Sequence, residues 1–193
     1  MTKRVAAIAV LFILLPAAVA LAFTLLTQEE ALKEVFWDGA VIEKETKELT
    51  GDTLARILER LGGSLVYTQE GSESAAVETQ HKIDFFFAKK DGERKGVAII
   101  DVEPGKWGPV EIITAMTTDA AVKNVRVMSY QEQRGQPIAR SSFLNQYRGK
   151  TSRSPLTVGK DIVAISGATI SSRAATFTVK KAIVVYEEVY LHK

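Results

Sequence analysis

The chain has 193 residues, no cysteine and two histidines, and its 25 basic side chains nearly balance its 23 acidic ones. Without cysteine it cannot hold a thiolate-bound iron–sulfur cluster, a tethered c-type haem or a disulfide. Two histidines exclude a histidine-rich zinc or di-haem site. After residue 26 the chain holds 23 basic and 23 acidic side chains and is formally neutral. A neutral domain without a run of basic residues argues against a nucleic-acid-binding surface.

The first predicted element is a membrane anchor over residues 1–26. Residues 5–26 carry no charge, and as a helix they extend about 33 Å, enough to cross a hydrocarbon core of roughly 30 Å. Lys3 and Arg4 precede this run, which predicts a cytoplasmic N-terminus and a domain on the periplasmic or outer side of the inner membrane of a prokaryotic cell. A cleaved signal peptide is the alternative, because residues 18–20 (AVA) resemble a cleavage site.

Residues 27–80 are predicted to form a helical and linker region that packs on the domain that follows. Thr27 and Glu30 have the spacing of a capping box, which predicts a helix over roughly 28–36. Residues 41–48 predict a strand. A second helix, capped by Thr50 or Asp52 and ended by Gly62-Gly63, is predicted from apolar residues spaced i, i+3, i+4 and i+7, namely Leu54, Ile57, Leu58 and Leu61.

Residues 81–193 predict one α+β domain, because strands cluster between helices. Ile83, Phe85 and Phe87 alternate, and the Asp91-Gly92 turn joins them to a partner strand at 97–102. Asp101 and Glu103 are interpreted as strand-end charges. Further strands are predicted at 110–117, 122–128 and 162–165, with a short helix at 141–147.

A terminal helix is predicted over roughly 170–190. Its apolar stripe is expected to face the core, and it comprises Ala175, Val179, Ala182, Tyr186 and Val189. Five charged residues are expected on the opposite face, namely Arg173, Lys180, Lys181, Glu187 and Glu188.

The junction before this helix carries the strongest functional signal. The predicted strand at 162–165 ends in Ser166-Gly167-Ala168-Thr169, and the helix follows at once. Small residues let a ligand approach the backbone closely, and the free N–H groups of a helix start attract an anion. The pattern predicts a phosphate-holding site. The alternative is that these hydroxyl residues only cap the helix.

Residues 163–174 (VAISGATISSRA) resemble the flavinylation motif of the FMN-binding domain family, which includes the G subunit of the Rnf complex and the C subunit of sodium-pumping NADH:quinone oxidoreductase. The resemblance implies that Thr169 is the acceptor of FMN through a phosphoester bond, made by a flavin transferase with FAD as donor. It implies that the loop and the helix start around the bond consist of Ser166, Gly167, Ala168, Ile170 and Ser171.

Two further stretches within about 83–190 resemble the same family. Residues 105–109 (GKWGP) are similar to its Gly-aromatic-Gly-Pro turn, where Trp107 would either stack on the flavin ring or cover the end of the sheet. Residues 130–135 (YQEQRG) fall where relatives have a Glu-Thr-Pro-Gly stretch, which implies that Glu132 lies near the flavin. The family's acidic residue, three positions before the Ser, is replaced by Val163.

These observations predict an electron-transfer subunit of a membrane redox complex that carries FMN and relays electrons between partner subunits. No GxGxxG fingerprint is present, which argues against direct oxidation of a nicotinamide. One alternative is a cofactor-free structural subunit with the same fold, as Val163 could signal. Another is an enzyme that reduces a small exported substrate with its own flavin. No metal site and no catalytic residue are predicted.

Overall fold

The computed structural model describes residues 23–68, 81–106, 108–131 and 136–192. Its six strands form one antiparallel sheet in the order β1-β6-β5-β4-β3-β2. The strands are β1 (Phe23–Thr24), β2 (Val41–Glu48), β3 (Lys82–Lys90), β4 (Glu93–Pro104), β5 (Pro109–Met116) and β6 (Val122–Tyr130). The helices are α1 (Gln28–Val35), α2 (Gly51–Leu61), α3 (Ser141–Leu144) and α4 (Thr169–Tyr186), with a π-helical turn at Glu187–Leu191 and 3-10 turns at Gln136–Ala139 and Asn145–Tyr147. Helices packed on an antiparallel sheet confirm the α+β class.

The sheet is covered on both faces, and the alternation of side chains along a strand decides which residue faces which layer. On β3, Phe85 and Phe87 belong to the larger core beneath α2 and α4. Phe86, between them, belongs to the smaller core beneath α1. The three phenylalanines therefore build both layers of the domain.

Local signals in the sequence produce the predicted helix start and hairpin turn. The Thr27 N–H donates to Glu30 Oε2 at 2.8 Å and the Glu30 N–H donates to Thr27 Oγ1 at 3.3 Å, which confirms the capping box of α1. Asp91 and Gly92 both have positive φ angles, of 53° and 80°. This pair of conformations suits the twist of a two-residue hairpin, and it confirms the turn between β3 and β4.

The strand predicted at 162–165 is wrong. The described residues there contain only an isolated bridge between Val158 and Ile162. Instead of a neighbouring strand, the Gln146 side chain binds this segment: Oε1 accepts from the Val163 N–H at 2.8 Å, and Nε2 donates to the Val163 carbonyl at 3.2 Å. A side chain 17 residues away thus satisfies the backbone that a strand would otherwise have paired.

The predicted exposure of two charged residues on α4 and its extension is also wrong. Lys181 and Glu188 are only 7% and 4% exposed. Glu188 accepts hydrogen bonds from Arg56 and Arg60 of α2, each at 2.7 Å. Lys181 enters a buried cluster with acids of β4, described below. These charged side chains can be buried because residues of distant elements pair with them. The helical periodicity of the sequence does not reveal such partners.

Residues 23–26, at the end of the predicted anchor, form part of the described structure. Phe23 and Thr24 of β1 pair with Tyr130 and Ser129 of β6, and the rest of the predicted anchor lies outside the described residues. Within the described part of the chain, no helix has the length and apolar character needed to cross a membrane.

Strand register defines the end of the sheet at which the chain enters the domain. Tyr130 pairs with both Phe23 and Val110, and Val110 pairs with Glu103. These residues form one row across four strands, and we call this end of the strands the entry end. The opposite end of the strands, where the turn between Met116 and Val122 joins β5 to β6, is called the far end.

Candidate functional site

The loop before α4 is a tight turn closed by its own backbone. Gly167 has a φ of 79°, a left-handed conformation that favours glycine. The Ala168 N–H donates to the Ile165 carbonyl at 3.0 Å. Apart from Gly167 itself and its two chain neighbours, no heavy atom of the described residues lies within 4 Å of the position that a Gly167 Cβ would occupy. This side of the loop therefore lies open to a ligand or to another protein.

Ser172 connects the loop to the first turn of α4. Its Oγ accepts a hydrogen bond from the Ile165 N–H at 3.1 Å and donates one to the Ala168 carbonyl at 2.9 Å. Because Ser172 is fully buried, water cannot replace these bonds. The serine holds the loop in one position relative to the helix start.

Three hydroxyls of the predicted flavin site differ in access. Thr169 and Ser166 are exposed, whereas Ser171 is only 1% exposed. Thr169 is the first residue of α4, after Ala168 as N-cap. The first N–H groups of a helix have no acceptor within that helix, so Thr169 presents its hydroxyl beside groups that attract an anion.

Val163, which stands where the family has an acidic residue, has an exposed side chain and a hydrogen-bonded backbone. Val163 is 75% exposed and is bound through its backbone by Gln146. The nearest acid, Asp161, accepts hydrogen bonds from Lys150 Nζ at 2.8 Å and from the Thr157 N–H at 2.9 Å. These bonds outweigh the effect of burial and lower the pKa of Asp161. Asp161 is thus engaged in its own loop and does not replace the missing acid.

Trp107 and Glu132, the two other residues predicted at the flavin site, lie outside the described residues. The structure describes the residues next to them. The Gly105 N–H donates to the Gly108 carbonyl at 2.8 Å. A Cβ on Gly108 would lie 2.6 Å from Cβ of Gln131, so only glycine lets these two segments approach so closely. The residues that flank Trp107 and Glu132 are therefore in contact at the entry end.

The direction of α4 brings the Ser166–Thr169 loop toward the same end of the sheet. Lys181 reaches Glu103 at the entry end, whereas Tyr186 Oη donates to the Thr118 carbonyl at 3.2 Å, beyond the far end of β5. The helix therefore runs from the entry end toward the far end. Thr169, 12 residues before Lys181, lies about 18 Å further in the entry direction along the helix axis.

The residues that follow Thr169 at four-residue spacing share one face of α4. Arg173 is exposed, one turn after Thr169. Phe177 lies next, with its ring centroid 5.9 Å from that of Tyr67. Burial raises the pKa of Tyr67, and Arg173 acts in the opposite direction. Arg173 is therefore near Tyr67, one turn of α4 beyond Thr169.

A buried ionic cluster lies one turn of α4 beyond Phe177, and the sequence analysis missed it. Lys181 Nζ lies 2.6 Å from Asp101 Oδ2 and also binds Glu103. The Tyr67 N–H donates to Glu103 Oε2 at 2.6 Å, and Lys181 Nζ donates to the Leu65 carbonyl at 2.8 Å. Burial raises the pKa of Glu103 to about 7, despite the nearby lysine. Asp101 and Glu103 are therefore not free strand-end charges, as predicted, but connect β4, α4 and residues 65–67.

The fold and this loop define an α+β domain with an exposed threonine at the start of its last helix. Residues 105–184 match the family model for the FMN-binding domain. The predicted family and the prediction of FMN as the cofactor are confirmed. The matched residues include the Ser166–Thr169 loop and α4 as far as residue 184.

Curated relatives belong to ion-translocating complexes. The chain is 32% identical over 110 residues to the G subunit of the proton-translocating ferredoxin:NAD(+) oxidoreductase complex of Clostridium ljungdahlii, covering 53% of this chain and 59% of the relative. It is 27% identical over 126 residues to the G subunit of the Na(+)-translocating complex of Acetobacterium woodii, covering 60% of this chain and 61% of the relative. The matches span less than two thirds of these relatives.

Among solved structures, the chain is similar to the C subunit of the Na(+)-translocating NADH-quinone reductase from Parabacteroides distasonis. The two are 19% identical, with a TM-score of 0.47 over 79% of this chain and 77% of that chain.

Proposed function

We propose that this chain is the FMN-carrying subunit of an ion-translocating oxidoreductase complex of the Rnf or Nqr type, and that it relays electrons between partner subunits. The observation that carries the proposal is the exposed Thr169 at the start of α4, inside the part of the chain that matches the FMN-binding domain. The names of the curated relatives support membership of such a complex. FMN supplies the redox chemistry when it is bound.

We propose that Thr169 Oγ1 forms a phosphoester bond with the FMN half of FAD. In this step the hydroxyl loses its proton, a new P–O bond forms, the pyrophosphate bond of FAD breaks and AMP leaves. A flavin transferase would catalyse the step. The open side of the Gly167 turn supports access to the hydroxyl, whereas the burial of Ser171 argues against that residue as the acceptor.

The residues around Thr169 position the product of this step. The free N–H groups at the start of α4 stabilise the negative phosphate. Ser172 holds the loop against the helix through Ile165 and Ala168, so the acceptor remains in one orientation. Arg173, one turn further along, adds a positive charge on the same face.

We propose that the N-terminal segment anchors the domain as a single-pass membrane protein, with the domain on the periplasmic or outer side. The chain enters the sheet through β1 at the entry end, and α4 begins toward that same end. An anchor before β1 would therefore hold the Thr169 loop on the membrane-facing side of the domain. That position suits a relay between membrane subunits.

The decisive experiment is co-expression of the full chain with a flavin transferase. We expect the mass to rise by that of FMN less one water, with flavin fluorescence on a denaturing gel. Thr169→Ala should abolish both signals without unfolding the domain. The matched variants Ser166→Ala and Ser171→Ala should keep them. Fluorescence that persists in Thr169→Ala and disappears in Ser166→Ala or Ser171→Ala would contradict the assignment.

A second experiment tests the missing acid. Val163→Asp places a carboxylate at the position of the family pattern, on a side chain that is exposed. We expect a larger flavinylated fraction at equal transferase concentration, measured by intact mass. Val163→Asn is the control for shape and should leave the fraction unchanged. Equal fractions in all three proteins would show that the acid does not limit attachment.

A further inference from the structure

The far end of the sheet carries an apolar groove on the side away from the flavin loop. Its volume is about 550 Å³, and its walls include Phe36, Trp37, Gly96, Met116 and Val122. We propose that this far-end groove is a docking surface for an acidic segment of a partner polypeptide that inserts an apolar or aromatic side chain. The proposal goes beyond FMN binding, because it assigns a second surface of the domain.

Gly96 of β4 makes the groove possible. A Cβ at this position would lie 3.2 Å from Phe36 Cε1 and 3.3 Å from the Met116 carbonyl oxygen. Both distances are closer than ordinary van der Waals contact, so a side chain here would require the Phe36 ring or the Met116 carbonyl to shift by a few tenths of an ångström. Glycine thus allows Phe36 to lie across the strand as one wall of the groove.

Trp37 is the main apolar feature of this surface. It packs edge-on against Phe36, with ring centroids 6.0 Å apart, and remains 36% exposed. A second groove of about 580 Å³ lies on its other side and includes Leu32 and Ile42. A partly exposed tryptophan between two grooves is the kind of residue that dominates the energy of protein interfaces.

Charge determines the kind of partner that fits. Lys95, Lys123 and Arg148 line the far-end groove, and its lining contains no carboxylate. Lys95 pairs with Glu93. Among the described residues, no acid forms an ion pair with Lys123 or Arg148. Two such cations beside an apolar groove complement an acidic segment with an apolar side chain.

The position of the groove favours a polypeptide over a lipid surface. The chain enters the sheet at the entry end through β1, whereas the groove lies beside Met116 and Val122 at the far end. A membrane anchor before β1 would hold this surface away from the bilayer. A partner segment could therefore bind here while the Thr169 loop stays accessible at the opposite end.

The test uses the full chain with an affinity tag, expressed in the organism from which it comes, together with its partner subunits. Lys123→Glu combined with Arg148→Glu should lower the co-purified partner subunits at least tenfold, measured by mass spectrometry relative to the tagged chain. Trp37→Ala should give a similar loss. The matched control, Lys90→Glu combined with Lys160→Glu, makes the same charge change outside the groove and should leave the yield unchanged.

Two readouts identify the occupant and separate this proposal from FMN attachment. A photo-crosslinking benzoylphenylalanine in place of Lys95 should form an adduct with a carboxylate-rich peptide of another protein in the complex. Adducts with lipid or with a second copy of this chain would overturn the proposal, as would equal losses in the charge-reversed and control proteins. FMN content should be unchanged in every groove variant. Loss of FMN in Thr169→Ala with normal partner binding would show that the two surfaces act independently.

Discussion

Ser172 shows how one side chain can decide the geometry of the site. We expect Ser172→Ala to lower the free energy of unfolding by about 1–3 kcal/mol, because the half-buried Ile165 N–H loses its acceptor. The flavinylated fraction should fall as well, since the loop is no longer tied to α4. Urea unfolding and intact mass measure the two effects.

The matched control for that residue is Thr178→Ala. Thr178 is also buried on α4, and its Oγ1 donates to the Ala174 carbonyl at 3.0 Å, but it has no bond to the loop. We expect a smaller loss of stability and an unchanged flavinylated fraction. If both variants lowered flavinylation equally, the effect would reflect general destabilisation of the helix rather than the position of the loop.

At the scale of elements, the buried cluster fastens α4 to β4 and should make stability depend on pH. Burial raises the pKa of Glu103 from 4.5 to about 7 and also raises that of Asp101. The folded state therefore binds more protons than the unfolded state between about pH 4.5 and 7. In this window the free energy of unfolding should fall as pH rises, by up to about 3 kcal/mol for Glu103.

Urea unfolding at pH 5, 6, 7 and 8 measures this dependence. Glu103→Gln should flatten the fall, because the amide does not titrate, while Asp101 leaves a residual slope. Glu43→Gln is the control: hydrogen bonds from Lys89 and Arg94 lower the pKa of Glu43 to about 2, so its titration lies below the window. An identical slope in the Glu103→Gln and wild-type proteins would contradict the role of the cluster.

Removing the cation of the cluster is the stronger perturbation. Lys181→Met keeps the length of the side chain but leaves two carboxylates in a buried site with no counter-charge. We expect a loss of about 3–5 kcal/mol at pH 8. The loss should be smaller at pH 5, where protonation relieves the repulsion. A loss independent of pH would indicate that only packing had changed.

At the scale of the whole molecule, the orientation of the chain remains a prediction. Lys3 and Arg4 before the apolar segment predict that the C-terminus lies outside the cytoplasm. A reporter fused after Lys193 should therefore be active only on the outer side. The same fusion without residues 1–26 should lose that activity. Activity of the full-length fusion in the cytoplasm would overturn the proposed orientation.

Features that depend on neighbours along the chain were predictable from the sequence. The capping box at Thr27 and Glu30 and the Asp91-Gly92 turn depend on groups within three residues of each other. The small-residue loop at Ser166–Thr169 likewise predicted a phosphate-holding site, because a helix start has the same chemistry in any fold. The cofactor itself was implied by the resemblance of residues 163–174 to the FMN-binding domain family. These signals sufficed for the α+β class, most of the strands and the family.

Contacts between distant residues were decided only by the tertiary structure. Gln146 binds Val163 and turns a predicted strand into a loop, while Lys181 finds its acids on β4, 78 residues from Glu103. Whether a hydroxyl near Thr169 is exposed also depends on how α4 packs. The groove around Trp37 depends on how Phe36 and Trp37 lie against β4 and β5. An apolar or polar pattern determines which residues prefer burial, but the partner that makes burial favourable comes from elements that meet only in the folded molecule.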